Sequence, residues 1–376
     1  MDKPQRLVFL CPEFTPYHET LFEAIVADGS LDLRVAIMMG PTTTHPFASR
    51  SGRPYPWQMA DPHAWIDWRL IRTLLAEEPD SWFIVSSYYT PTLLTALFAL
   101  SMAERPFLYW TDTPLPQELL WKGRQPSLRP WWLRLGRRTL LHWIFTHAHR
   151  SLATGQFGVS AITKLGCPAD KCVDFPHWVV LGDPPARFQQ ATSPPLRTLV
   201  GVGQLIHRKG WDIAFRALEI ARRTHQELRM MLIGDGPEST PLQQMVQEMG
   251  LTGHVTFLGW KQPAEIARLL EKADALIHPA RWEPYGVVVL EAMAAGLTVL
   301  GSDATGAVVD RVIPGVSGFV HAVGDVETLS RQIVQLAHGG PLLRHLQRGA
   351  RRIAEEWPPQ VGVDILKVLI LDSPPA

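Results

Sequence analysis

The stretch Pro279-Ala280-Arg281-Trp282-Glu283-Pro284-Tyr285-Gly286-Val287-Val288-Val289-Leu290-Glu291-Ala292-Met293-Ala294-Ala295-Gly296 decides how the chain is read. A short apolar run, Ala275 to His278, precedes it and has the pattern of a buried strand. Pro284 and Gly286 mark a loop. The run from Val287 to Ala295 is apolar almost all round, which predicts a buried helix. Two carboxylates interrupt this apolar setting: Glu283 just ahead of the helix and Glu291 in its second turn. Negative charge near a helix start is favourable, so capping is the simplest role for Glu283. Capping does not account for Glu291, which lies deeper. A carboxylate in an apolar helix is costly unless something pairs with it.

A ligand accounts for the whole set. A helix that starts at Gly286, Val287 and Val288 offers N–H groups with no intrahelical partner, and these suit a pyrophosphate. Glu283 then stands beside the group attached to that phosphate. Glu291 is placed to accept hydrogen bonds from ribose hydroxyls. A nucleotide-sugar satisfies all three.

Working outward, the second half alternates buried strand and helix. Strands are expected at Thr198–Val202, Arg229–Ile233, Val255–Leu258, Ala275–His278 and Thr298–Gly301, with helices between them from Trp211, Pro241, Glu265 and Val287. The first half alternates in the same way: strands at Arg6–Leu10, Leu33–Met39, Trp82–Ser86 and Phe107–Thr111, and helices at Thr20–Ala27, Ile66–Glu78 and Pro91–Met102. Such alternation predicts parallel α/β sheets whose strand ends open onto one rim. A Pro-rich stretch, Gly182-Asp183-Pro184-Pro185 and then Thr192-Ser193-Pro194-Pro195, is the best domain boundary. Domains are therefore expected at 1–182 and 196–357. After Glu355-Glu356-Trp357-Pro358-Pro359 a final helix within 358–376 is placed to turn back onto the first domain.

Composition narrows the function. The chain has 376 residues, 46% apolar and 19% charged, which excludes a disordered or fibrous protein. Lys and Arg total 36, as do Asp and Glu, so the excess of basic residues expected of a nucleic-acid binder is missing. Cys11, Cys167 and Cys172 are too few for a disulfide framework and read as small core residues. No apolar stretch reaches the ~20 residues that cross a bilayer; Pro91–Ala103 is the longest. The expectation is a cytoplasmic protein. No two aspartates stand two apart, and there is no Gly-x-Ser-x-Gly elbow, His-Glu-x-x-His or Walker A loop. Metal-dependent and serine-nucleophile chemistry are thus poorly supported. Two glycine turns follow strands, Gly201-Val202-Gly203 through Arg208-Lys209-Gly210, and Gly234-Asp235-Gly236-Pro237. The first carries two cations just before a helix, a composition suited to phosphate.

Glu, seven residues, Glu, set within Arg281 to Gly296, resembles the signature of glycosyltransferase family 4. Gly203 through Gly210, Leu232 to Pro237, Val255 to Gly259 and Gly315 to Gly318 fall in that family's order. The resemblance covers residues 197–332; the first half resembles the family in layout alone. It implies the GT-B fold, two Rossmann-like α/β domains facing across a cleft with the donor on the C-terminal one. It also implies a retaining, metal-independent glycosyltransferase with a UDP- or GDP-sugar as donor and no cofactor.

Carried over by position, Lys209 matches the lysine that holds the diphosphate, Glu283 the glutamate that contacts the transferred sugar, and Glu291 the one that binds ribose. Backbone N–H groups of Tyr285, Gly286 and Val287 match those that hold sugar hydroxyls and phosphate. Gly203 belongs to the donor turn, and Lys261 falls where the family's chain passes the base. Three positions depart. Gln204 stands where many members have an arginine, and Arg208 is the expected substitute. The turn Cys11 to His18 lacks the usual paired glycines. Asp112 stands where histidine is common, and is expected to act on the acceptor side. A nucleotide-sugar epimerase and a non-catalytic nucleotide-sugar-binding protein stay open as alternatives. Finally, residues 121–150 carry Lys122, Arg124, Arg129, Arg134, Arg137, Arg138 and Arg150 among four tryptophans, and no acidic residue stands between Glu118 and Asp170. This suits either an anionic membrane surface or a solvated basic face over a core helix. The resemblance implies a glycan or a lipid-linked glycan precursor as acceptor.

Overall fold

The structure, a computed structural model, describes residues 3–39, 52–77, 79–112, 131–183 and 195–372. The chain divides into two compact units: Met1–Trp178 together with Pro359–Ala376, and Val179–Pro358. Most of the Pro-rich stretch, residues 184–194, lies outside the described residues, as do residues 121–130 of the basic segment.

The first unit is built on seven strands, β1 (Gln5–Cys11), β2 (Leu31–Ile37), β3 (Trp57–Met59), β4 (Trp82–Val85), β5 (Phe107–Thr111), β6 (Arg150–Ala153) and β7 (Cys172–Asp174). They pair in parallel in the order β3-β2-β1-β4-β5-β6-β7. The near-continuous apolar runs are explained by burial on both faces. Along β1, Leu7, Phe9 and Cys11 enter one core cluster while Val8 and Leu10 enter the other. Helix α1 runs Pro16–Asp28, earlier than its apolar spacing predicts. Thr15 caps it by accepting from the His18 N–H, and Pro16 opens it with a preset φ. The same Thr-Pro device starts α3 (Pro91–Met102) at Thr90, after α2 (Trp68–Leu75). Helices α4 (Trp131–His147) and α5 (Gly155–Lys164) complete the run before β7.

The second unit has six parallel strands: β8 (Thr198–Val202), β9 (Arg229–Ile233), β10 (Val255–Gly259), β11 (Ala275–His278), β12 (Thr298–Ser302) and β13 (Gly318–His321). Their order is β10-β9-β8-β11-β12-β13. The order reverses direction between β8 and β11, so the loops leaving those two strands diverge and open a crevice at their carboxyl ends. Helices α6 (Trp211–Arg222), α7 (Ser239–Glu248), α8 (Pro263–Leu270), α9 (Val287–Ala294), α10 (Gly306–Arg311), α11 (Val326–His338) and α12 (Gly340–Glu355) cover the sheet. One core cluster joins Trp211, Phe215 and Leu218 of α6 to Leu199, Met230 and Ile277. The other joins Val289, Leu290 and Met293 of α9 to Val200, Leu276 and Val299.

The last helix, α13 (Pro359–Leu371), belongs to the first unit. Val363, Leu366 and Ile370 share a core cluster with Leu21, Phe22 and Ile25 of α1. Gln360 and Lys367 both reach the carboxylate of Asp28, at 2.9 and 3.2 Å. Leu366 is fully buried, so Leu366→Ala should cost the first unit about 2–5 kcal/mol. Lys367→Ala removes a partly exposed ion pair and should cost at most about 1 kcal/mol. Urea unfolding of both variants checks this; equal losses would show that the polar contacts, not the apolar face, hold the helix.

Candidate active site

Three loops meet at the crevice of the second unit. The first leaves β8 at Gly203 and ends in a tight turn, His207–Lys209, before Gly210 starts α6. Gly210 has φ +71°, and a Cβ there would lie 2.3 Å from the Pro279 carbonyl, so only glycine lets this turn lie on the loop leaving β11. Arg281 fastens the two loops. Its guanidinium forks onto Asp212 at 2.7 Å twice and reaches the His207 carbonyl at 3.0 Å, while its own N–H donates to the Arg208 carbonyl at 2.8 Å. The third loop, after β12, is stitched on by backbone bonds: Glu283 N–H to Ala304, Gly306 N–H to Glu283 and Ala307 N–H to Tyr285.

The result is a buried charge cluster. Oε2 of Glu283 accepts from Lys209 Nζ at 2.5 Å and from Arg208 Nη1 at 2.8 Å. Arg208 also donates to the Trp282 carbonyl at 3.0 Å and stacks near its ring. Burial pushes the Glu283 carboxyl up, but the charges of Lys209 and then Arg208 outweigh it and hold the group below the usual carboxylate range. Two cations on one carboxylate leave a net positive charge for an anion. His278, at the end of β11, is fully buried, and neither ring nitrogen has a hydrogen-bond partner among the described residues. Burial, with Lys209 adding, pushes its imidazole down to about 3, so it stays neutral.

Gly286 precedes α9 with φ +91°, and no side chain caps this helix among the described residues. A Cβ there would lie 3.1 Å from both the Glu283 and the Thr305 side chains, so glycine lets the helix start lie against them. Tyr285 is buried and Val287 half-buried beside it. Glu291 is partly buried two turns in. Burial alone pushes its carboxyl up to about 7. Gly203 packs against the Lys209 side chain. Gln204 is exposed, with its carbonyl taking the Trp211 indole N–H at 3.0 Å. Lys261 lies after the edge strand β10, two strands from β8, and no ion pair joins it to the cluster. Thus Arg208, Lys209, Glu283 and Gly286 are brought together, Glu291 lies in the helix that Gly286 opens, and Lys261 stands apart. Sequence reasoning missed His278 and the Arg281–Asp212 fork. A pair 69 residues apart leaves no local pattern.

Asp112 belongs to the first unit, just after β5. Its Oδ1 accepts from His177 Nε2 at 3.0 Å and from Thr154 Oγ1 at 2.9 Å. Burial pushes this carboxyl up, but His177 and Thr154 pull it below the usual range. Tyr17 packs on His177 with ring centroids 4.0 Å apart, and His18, buried alongside, is pushed down to about 3 chiefly by burial. Neither His177 nor Thr154 was visible as a partner in the sequence. Among the described residues no group of three or more His, Cys, Asp or Glu is arranged to hold a metal ion.

Comparison with known proteins places this architecture. The chain superposes on the crystal structure of Anabaena Alr3699/HepE in complex with UDP with a TM-score of 0.73, covering 98% of this chain and 99% of that one at 19% identity. The fold is GT-B. More narrowly, the family model for glycosyl transferases group 1 matches residues 184–353, which fall within the second unit. The chain is 30% identical over 157 residues to 2-deoxystreptamine glucosyltransferase of Streptomyces kanamyceticus, which is 42% of this chain and 40% of the relative. It is 31% identical over 154 residues to glycogen synthase of Mycobacterium tuberculosis, 41% of this chain and 37% of the relative. The match thus spans under half of each relative's length.

The Glu291 shift has a defined pH signature. Its folded-state value lies above the ordinary 4.5, so the native state holds the proton more tightly than the unfolded chain. Stability is fullest below about 4.5, falls as pH rises, and the loss is complete just above about 7. Glu291→Gln should therefore unfold at the same temperature as the parent near pH 4.5 and at a higher one near pH 8. Thermal unfolding across this range checks it; a constant difference would refute the assignment.

Proposed function

We propose that this protein transfers a sugar from a nucleotide-diphosphate-sugar to a hydroxyl acceptor with retention of anomeric configuration and without a metal ion. The observation that carries the reading is the meeting of Lys209, Arg208 and Glu283 with the open start of α9 at the crevice between β8 and β11, within the residues that match the glycosyltransferase domain. Lys209, Arg208 and the N–H groups at Gly286 and Val287 bind the diphosphate and take up the charge that develops as the bond to the anomeric carbon breaks. That charge is met by side-chain cations, which is the role a metal would otherwise fill. Glu283 and the Tyr285 backbone face the sugar, Glu291 the ribose, Gly203 the turn beside the phosphate, and Lys261 the base. The acceptor oxygen bonds to the same face from which the diphosphate leaves, and its proton passes to the departing phosphate oxygen. In this reading Asp112, oriented by His177 and Thr154, is the acceptor-side polar group of the first unit. HepE was solved with UDP, which favours a UDP-sugar among the candidate donors.

The acceptor we infer is a glycan or a lipid-linked glycan precursor. One relative is named a lipopolysaccharide core biosynthesis glycosyltransferase. Trp132, Arg134, Leu135 and Arg138 are exposed along α4, and this supports docking of a cytoplasmic protein on an anionic membrane surface. Arg137 instead donates to the Tyr88 hydroxyl at 2.8 Å and serves the fold. Among the described residues no helix is long and apolar enough to cross a membrane.

The test is incubation with UDP-, GDP- and ADP-sugars, with and without glycan acceptors and EDTA. Transfer that persists in EDTA and yields the donor's anomeric configuration is expected. Turnover of the sugar itself with no acceptor would instead support the epimerase, and binding without turnover the non-catalytic protein. Glu291→Ala should weaken donor binding, by about 1–3 kcal/mol for a charge-assisted hydrogen bond, whereas Glu283→Ala should chiefly lower turnover. Arg208→Ala should weaken nucleoside diphosphate binding about as much as Lys209→Ala. An unchanged Kd in calorimetry would remove Arg208 from the diphosphate site.

A further inference from the structure

The Glu283 carboxylate already holds the two cations that an arriving anion would use. It takes both nearby cations through a single oxygen, Lys209 at 2.5 Å and Arg208 at 2.8 Å. The side chains of Glu283 and Lys209 are about nine-tenths out of water and Arg208 about three-quarters, so solvent screens this arrangement poorly. No other carboxylate reaches either cation among the described residues, because Arg281 takes Asp212 instead. His278 behind the cluster is neutral and supplies no third positive charge. A diphosphate reaching Lys209 and Arg208 therefore meets a like charge already bound to them. It must share the cations with Glu283 or displace it.

We propose that Glu283 is a built-in competitor for the diphosphate, which holds Lys209 and Arg208 until the donor displaces it. This rests on the nucleotide-sugar reading of the site. Displacement frees a carboxylate that is then short of partners. A diphosphate that carries a sugar restores them, since its hydroxyls donate to the freed oxygens. A bare diphosphate does not. The competitor thus disfavours sugar-free anions, including the product nucleotide, and couples arrival of the donor to release of the group that contacts its sugar.

The decisive probe is inorganic pyrophosphate, which carries neither base nor sugar. Glu283→Gln keeps the shape and a hydrogen-bond acceptor but removes the charge. Its Kd for pyrophosphate, by calorimetry, should be at least ten-fold lower than that of the parent, and adding Lys209→Ala to the same chain should abolish the gain. An equal or weaker affinity in Glu283→Gln would overturn the proposal. Because removing one partner of a buried ion pair can loosen the fold, thermal unfolding gives a second readout. Glu283→Gln should unfold at a lower temperature than the parent, and pyrophosphate should raise its midpoint by more than it raises the parent's. Equal rises would also overturn the proposal. The two readings fail separately. If UDP- and GDP-sugars bind neither protein yet the pyrophosphate gain remains, the competitor stands and the donor assignment falls. If they bind the parent and pyrophosphate binds both proteins alike, the donor assignment stands and the competitor falls.

Discussion

A buried carboxylate shared by two cations fixes the arrangement of the second unit's crevice. Glu283 is on the loop after β11, and Lys209 and Arg208 are on the turn after β8. These loops leave adjacent strands at the point where the sheet order reverses, so their backbones would otherwise diverge. An ion pair taken out of water is expensive to form and more expensive to break by halves. The structure answers with added constraint. Arg281 forks onto Asp212, its N–H holds the Arg208 carbonyl, and the loop after β12 is bonded to Glu283 by its backbone on both sides. The charges are held in register by groups that do not themselves face the crevice.

Much of this was legible in the sequence for a specific reason. Strands buried on both faces need a near-continuous apolar run, so β5, β8, β9 and β11 stand out even though each has one polar residue at an end, Thr111, Thr198, Arg229 and His278. Helix α9 stands out because it is apolar all round yet carries Glu291. What stayed hidden are elements that lack such a signature. β3 and β7 are three residues each, β3 is exposed along its length, and β13 begins with Gly318. They exist because a neighbouring strand offers an edge to pair with, which is tertiary information. The start of α1 was misplaced for a different reason. Apolar spacing points to Thr20, but the capping chemistry at Thr15-Pro16 sets the boundary.

The site divides in the same way. Residue types in one local motif, from Arg281 to Glu291, announce themselves. Partnerships across the chain do not. Asp112 is singled out by the resemblance, at the position where histidine is common, but its orientation by His177, 65 residues on, and by Thr154 is a product of β5, β6 and β7 ending side by side. His278 reads in sequence as one more strand residue. Its meaning comes from being sealed behind a charge cluster, where protonation would add a third cation. It stays neutral there, and the charge balance at the crevice is set by Lys209, Arg208 and Glu283 alone.

The two glutamates of the motif show how far spacing falls short of chemistry. They are the same residue type, eight positions apart, flanking one helix start. Glu283 is ionised in place, because its buried position is overcompensated by two cations. Glu291 faces burial with no compensating charge, and its carboxyl rises to about 7. The first therefore enters any encounter with a ligand already committed to two partners. The second enters half-protonated near neutral pH and gains from a partner that donates to it. The proposed donor would meet both conditions at once, with phosphate oxygens for the cations that Glu283 holds and vicinal hydroxyls for the carboxyl that Glu291 cannot comfortably ionise alone. Opposite environments, rather than matching ones, suit the pair to two different partners.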